Sequence, residues 1–392
     1  DFIKLRTKAI LTFRVERCFN PSIKSSEVIS QFNGNIDNVN FGNPTLKEYA
    51  LCGMFDYIAE TQKSLTNRFT TIEVLINSDF MELDYNARRN LELTETIRNK
   101  ERKGSLVWVL DKTKTSMGRR LLKSTIERPL IKAIDINNRL DAVEILTKKS
   151  LVLMEVRELL SNICDIERLM GKVAYKTATP RDLKALSLTA LKMPSIKEQL
   201  SKIVDSSTLL TNIYTDISSL EEISNLIESA ISDEPPVSVK DGNTIKDGFN
   251  SQLDELRNIM KNSEDIIRQT EQRERDRTGI KNLKIGYNKV FGYYIEITKS
   301  NYNLVPPDYV RKQTLTNAER FITDELKTLE NTILSAKDRT LALESEIFIS
   351  IRNEIGKHLV ECQKTSLAIA LLDMLCSFAE VSLRNNYHRP NI

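Results

Sequence analysis

Apolar residues recur at helical spacing over most of the chain. From Thr45 to about Leu75, Leu51, Met54 or Phe55, Ile58 and Leu65 fall on one face, which predicts a helix. Several more helices are expected between Asp84 and Ala230. One start is spelled out locally: Thr179 as N-cap, Pro180 at the first helical position and Asp182 three residues after the cap, followed by Leu183, Leu186, Leu188 and Leu191. Upstream, Ala9–Val15 alternates as a strand does, and Asn40-Phe41-Gly42-Asn43-Pro44 reads as a loop.

A different pattern begins after Glu234-Pro235-Pro236 and the pairs Asp241-Gly242 and Asp247-Gly248, which mark a loop. Phe249 to Thr278 is unbroken, with Phe249, Leu253, Leu256, Met260 and Ile267 at heptad-like spacing. Beyond Ile267 the apolar stripe stops, and Gln269–Arg277 reads as a solvated arm, polar all round. At 1.5 Å per residue this helix would reach roughly 45 Å. Past Gly279 the period falls to two. Leu283–Tyr287 and Tyr293–Thr298 are expected as strands joined by Asn288-Lys289-Val290-Phe291-Gly292. Residues 313–322 stay open, since Thr316-Asn317-Ala318-Glu319 resembles a capping box whereas Gln313–Thr316 suits a strand. From Asp324 a second long helix places Leu326, Leu329, Ile333, Ala336, Leu343 and Ile347 near heptad spacing. Helix out, small β tip and helix back is the simplest architecture.

Composition supports this mainly α class, a multi-helix core with long lever helices and a small inserted β tip, plus a short α/β remnant at the N-terminus. Only 12 glycines and 10 prolines punctuate 392 residues, too few for the closely spaced turns of a sandwich or barrel. No run of eighteen apolar residues is present, so no membrane span is expected. Five scattered cysteines without a Cys-x-x-Cys pair suit reduced, buried thiols in a cytosol rather than zinc or disulfides. Two histidines, His358 and His388, leave little room for histidine-based acid/base or metal chemistry. The chain opens at Asp1 and closes on Arg389-Pro390-Asn391-Ile392, which reads as a piece of a larger protein.

Charge changes the picture more than composition does. The net +3 hides an asymmetry: residues 277–320 hold eight cations against three carboxylates, a net +5, and the remainder sums to −2. A basic tip is the electrostatic footprint of a nucleic-acid contact, although lysine-rich hairpins also keep sheet edges soluble. No helix with Arg, Asn or Gln at regular spacing accompanies it, so phosphate contact is expected rather than base readout.

Specific segments resemble a known family. Leu83-Asp84-Tyr85-Asn86-Ala87-Arg88-Arg89-Asn90-Leu91-Glu92-Leu93 and Val109–Lys123, which contains Asp111-Lys112-Thr113-Lys114-Thr115-Ser116-Met117-Gly118-Arg119-Arg120, are very similar to the opening core segments of the bacterial mismatch-repair MutS family. Asp165–Arg168, Thr177–Leu183, Arg273–Gly279, Gly292–Ile295 and Arg311–Arg320 match in the family's order, so the resemblance covers about residues 45–390. It implies a ribonuclease-H-like connector remnant at 1–44, a first core and lever part at 45–239, an inserted clamp at 240–322 and a second core part at 323–392. It also implies that 313–322 is a clamp strand. The family often has lysine where this chain has Thr316, which removes one candidate phosphate contact.

Two family features are missing. The mismatch reader is a phenylalanine within an N-terminal Phe-x-Glu motif. Phe80-Met81-Glu82 and Phe378-Ala379-Glu380 have that spelling but read as scaffold. No Gly-x-x-x-x-Gly-Lys-Ser/Thr loop occurs, so no ATP site is expected in this chain, and ATP with Mg belongs to the parent protein by resemblance. Expected partners are double-stranded DNA, a second MutS subunit and, by resemblance, MutL, with no membrane and a bacterial cytoplasmic, nucleoid-associated location. No catalytic, cofactor-binding or metal-binding residue is expected here. The expected backbone-contacting residues are Lys284, Lys289, Arg311 and Lys312, with Asn288, Gln313 and Asn317 as neutral donors. A purely structural coiled-coil scaffold, or a MutS relative outside mismatch repair, are the alternatives.

Overall fold

The computed structural model describes residues 11–32, 39, 41–61, 80–288 and 292–392. The chain divides into two units, Asp1–Asp79 and Phe80–Ile392. In the first, α1 (Pro21–Gln31) starts from an Asn20 cap with proline in its first turn, and α2 (Leu46–Thr61) follows. Val28, Phe32, Cys52 and Phe55 bury against one another, with the rings of Phe32 and Phe55 edge-on at 5.5 Å. Met54 of the sequence pattern faces solvent, so Phe55 is the core residue. Leu65 and the rest of that predicted helix past Thr61 lie outside the described residues, as do Ala9 and Ile10. The strand expected at 9–15 is corrected over its described part. Leu11–Val15 joins no sheet and leads into a short 3-10 turn, with Arg14 drawn to Asp56 and Glu60 instead of to a strand partner.

The second unit is built from helices. In order they are α3 (Tyr85–Asn90), α4 (Leu106–Leu110), α5 (Ser116–Glu127), α6 (Ala133–Lys148), α7 (Ser150–Ser161), α8 (Ile166–Ala174), α9 (Pro180–Ala190), α10 (Met193–Ser201), α11 (Thr208–Asp216) and α12 (Glu221–Ala230). Two long helices, α13 (Ser251–Thr278) and α14 (Asp324–Gly356), flank a four-stranded sheet, and α15 (Leu359–Asn385) closes the fold. By composition α15 is long and apolar enough to cross a membrane, but it is the core helix of this unit: 67% of its most apolar window is buried. It packs against α5, α6, α8 and α11 and buries Ile369, Leu372, Leu375, Cys376 and Ala379. Of the five free cysteines, Cys52, Cys362 and Cys376 are buried; Cys164 is exposed and Cys18 half-buried, which corrects the expectation of uniformly buried thiols.

Local signals place several helices as expected. Thr179 and Asp182 form a reciprocal capping box at the start of α9, and Asp182 also bonds Lys172 at 2.7 Å. The segment Lys112–Gly118 serves as a joint. Asp373 of α15 accepts the backbone N–H of Lys114 at 2.9 Å and the N–H and hydroxyl of Thr115, both at 2.7 Å. Ser377 accepts the Lys112 N–H and donates to the Leu110 carbonyl, each at 2.7 Å. Gly118 permits this approach, because a Cβ there would sit 2.4 Å from Asp373 Oδ2. Phe80 lies in an isolated bridge to Leu130, and Phe378 packs against the cluster of Leu93, Val107, Leu122, Ile126 and Met374.

The arm's seam shifts by one residue from the heptad reading. The buried stripe of α14 runs Leu326, Ile333, Ala336, Thr340, Glu344, Phe348, Ile351 and Ile355, while Leu343 and Ile347 are only partly buried. Glu344 takes the inward position because Arg257 of α13 and the Thr244 N–H both bond its carboxylate, at 2.5 and 3.1 Å. An ideal helix also drifts about 20° per heptad from a strict seven-residue repeat.

Candidate nucleic-acid interface

The α13 helix ends at Gly279, whose φ of +69° and N–H bond to the Arg275 carbonyl close it in the left-handed cap that glycine accepts without a Cβ penalty. The chain then enters β1 (Lys284–Asn288), β2 (Gly292–Thr298), β3 (Val310–Thr314) and β4 (Ala318–Ile322), which are antiparallel in the order β1-β2-β4-β3. Residues 313–322 are therefore the end of one strand, a turn and a second strand, not one strand and not a capping box.

One face of the sheet is apolar. Ile285, Ile295 and Phe321 are register partners there, and they pack with Ile280, Leu283, Ile297, Tyr309 and Leu326 into a small core of their own. The polar end of α13 anchors this core, so it is not solvated all round as its sequence predicted. Thr270 and Glu274 are buried. Glu271 accepts the Ile285 N–H at 2.8 Å, and Arg275 donates to the Leu283 carbonyl at 2.7 Å. Glu274 accepts from the Tyr309 hydroxyl and from Arg277, each at 2.8 Å. Burial and the Glu274 carboxylate both push the Tyr309 phenol up, so it stays a donor. Arg277 reaches on to Asp308 at 3.0 Å, and that contact holds the Asp308 carboxyl below its ordinary range.

The opposite face carries a polar row across four strands. Lys284 faces Glu296, Glu296 faces Arg320, and Arg320 faces Gln313. Arg320 bonds Glu296 at 3.1 Å and Gln313 at 2.9 Å, with its guanidinium 4.1 Å from the centroid of the Tyr294 ring. The structure thus brings Lys284 and Gln313 into one row and leaves the other expected contacts apart from it. Arg311 is the register partner of Phe321 on the other face and bonds Glu319 at 3.0 Å. Lys312 sits exposed where the β3 register shifts. Asn317 lies in the β3–β4 turn, where its carbonyl accepts the Lys299 N–H at 3.2 Å. Asn288 is at the far end of the sheet, opposite Gly292. Lys289 lies outside the described residues.

The tip's charge therefore divides by residue type. Its arginines, Arg277, Arg311 and Arg320, are each bound to a carboxylate. Among the described residues of the tip, Lys281, Lys284, Lys299 and Lys312 are exposed and make no ion pair. Lys281 and Lys299 enter the sequence reading only through the tip's net charge, and the structure exposes both.

The MutS domain III family model matches residues 86–379. The chain is 50% identical over 339 residues to the DNA mismatch repair protein MutS of Caldicellulosiruptor bescii, covering 86% of this chain and 39% of that protein. It is 46% identical over 375 residues to that of Alkaliphilus oremlandii, covering 95% and 42% respectively. It is 45% identical over 383 residues to that of Clostridium botulinum, covering 95% and 41%. The chain spans less than half the length of these curated relatives. A helical core joined by the Asp373–Thr115 contact, carrying a lysine-bearing sheet between two long helices, therefore has a family: the chain belongs to the MutS family, through its domain III.

Proposed function

We propose that the sheet between α13 and α14 is the clamp of a mismatch-repair MutS protein, and that it holds the backbone of duplex DNA without reading sequence. The observation that carries this reading is the set of four exposed, unpaired lysines, Lys281, Lys284, Lys299 and Lys312, on a tip whose arginines are tied to carboxylates. Mobile point charges suit phosphates, and among the described residues of the tip the arginine forks are engaged by carboxylates rather than held open for base edges. Gln313 and Asn317 add neutral donors, while Arg311 shares its guanidinium between Glu319 and a phosphate. Residues 1–44 then form the remnant of a connector, 45–239 and 323–392 the two parts of the core and levers, and 240–322 the clamp. In the whole protein a second subunit completes a ring around the duplex, MutL joins it, and ATP-driven motion reaches the tips through α13 and α14. A stiff helix turns a small rotation at its base into a large displacement at its end. By itself the chain binds matched and mismatched duplex alike and hydrolyses no ATP.

Fluorescence anisotropy against salt tests the reading. Each lysine that meets a phosphate adds about 0.9 to the slope of log K against log salt, so Lys284→Ala with Lys312→Ala should flatten that slope by about 1.8. An unchanged slope would remove the DNA role from the tip.

A further inference from the structure

The −2 outside the tip conceals a second asymmetry. Residues 85–128 hold twelve lysines and arginines against five carboxylates, a net +7, which leaves −9 for everything outside this segment and the tip. The segment's first half is a braced platform over residues 92–107. Leu106 N–H bonds the Glu92 carbonyl at 3.0 Å, and Val107 N–H bonds the Leu93 carbonyl at 2.9 Å, closing the intervening loop. Within it, Thr96 N–H to the Glu101 carbonyl at 2.9 Å and Ile97 N–H to Glu92 Oε1 at 2.7 Å hold a tight turn. Glu92 and Lys100 adopt left-handed φ values of 48° and 53°, a conformation that non-glycine residues keep only where surrounding bonds enforce it.

Asp111 holds two of the segment's cations. Its side chain is 2% exposed, bonds Arg102 of the loop and lies 3.3 Å from Arg119 of α5. One buried carboxylate thus sets two arginines side by side, with 46% and 61% of their side chains still exposed. Arg89, Arg98, Lys100, Lys103, Lys114 and Arg128 are without a carboxylate partner among the described residues, and all of the segment's twelve cations but Arg88 and Lys112 are exposed. Lys112 lies 5.8 Å from the ring centroid of Trp108, the chain's single tryptophan, which is 45% exposed.

We propose that this platform is a second surface for the phosphodiester backbone of duplex DNA, distinct from the tip. A polyphosphate needs a density of positive charge, and held arginine forks bind its oxygens in pairs. An acidic protein partner is the weaker fit, because five of the twelve cations are lysines, which protein interfaces deplete.

Trp108 makes the test local. The chain is titrated with a labelled duplex while tryptophan emission and duplex anisotropy are followed together. Expected is a saturable change in Trp108 emission that weakens with salt. Arg98→Glu with Lys100→Glu and Lys103→Glu should abolish that change and weaken binding more than about tenfold, with an unchanged thermal melt, since these side chains are exposed and unpartnered. The variant Lys284→Ala with Lys312→Ala should keep the emission change, which separates this surface from the tip. Silent emission during saturable binding, an emission change that survives the triple variant, or a change produced by polyglutamate and not by DNA would each overturn the proposal.

Discussion

Asp373 on α15 accepts both the N–H and the hydroxyl of Thr115, 258 positions earlier in the chain, at 2.7 Å each. The same carboxylate takes the Lys114 N–H, and Thr115 in turn caps α5 through the Gly118 N–H at 2.9 Å. Replacing Asp373 by Ala orphans buried donors at about 1–3 kcal/mol each, so a loss on the order of 3 kcal/mol is expected in denaturant unfolding. Thr115→Ala should lose about 1–2 kcal/mol, and the double variant less than the two losses added, because both remove the same contact. Strict additivity would show that the two residues act separately.

Glu274 anchors the small sheet to α13. Tyr309→Phe removes one hydrogen bond and should loosen the sheet by about 1 kcal/mol, whereas Glu274→Ala leaves the buried Tyr309 hydroxyl without its acceptor, Arg277 keeping Asp308, and should cost about 2–3 kcal/mol. Amide exchange read by segment is the right measurement. Residues 284–322 should lose protection while the helical core stays unchanged; equal loss in both would mean that the sheet has no separate stability.

Gly292 opens β2 with a φ of +76°, and a Cβ there would lie 2.0 Å from Glu330 Oε1. That carboxylate also accepts the Tyr293 N–H at 3.3 Å. Gly292→Ala is expected to destabilise by about 1–2 kcal/mol through the left-handed backbone alone. Adding Glu330→Ala relieves the collision but not the backbone strain, so chemical denaturation of the pair should recover only part of the loss.

Acid should weaken the core through carboxylates held in their charged form. The Arg120 hydrogen bond holds Asp165 below its ordinary value of 3.8. Burial alone would raise Asp182, yet Lys172 and the Thr179 cap outweigh it and the net shift is down. A depressed carboxyl contributes stability that is present above its unfolded pKa and lost as pH falls through its folded one. Thermal melts should therefore hold steady above about pH 5 and drop as pH falls below about 4, with Asp165→Asn shallower on that acid limb. Asp373 has the opposite sign: burial raises it, so its ionisation opposes folding as pH rises through its folded value.

Much was legible in the residues because the relevant chemistry is local. Thr179, Pro180 and Asp182 start α9 by satisfying each other's backbone groups within one turn, and Gly279 ends α13 by itself. Alternating Tyr293–Thr298 announces a strand wherever it is placed. The net +7 of residues 85–128 was equally open to counting, but a single total for the body cancelled it against acidic segments elsewhere.

Sequence alone, then, determined a helical core, two long helices, a β tip between them and the tip's positive sign, since periodicity, caps and formal charge depend on near neighbours. Only the tertiary structure decided which charges remain free. Arg311 reads as a candidate contact in the sequence, and only the fold places Glu319 beside it, as it places Asp308 beside Arg277 and Glu296 beside Arg320. Glu274 reads as solvated in the sequence, yet Tyr309 holds it inside, as Arg257 holds Glu344. The Asp111–Gly118 segment, legible in the sequence only as part of a family resemblance, is in the fold the joint that Asp373 holds. An ion pair or buried hydrogen bond is made between residues that folding brings together, and their separation along the chain carries no record of it.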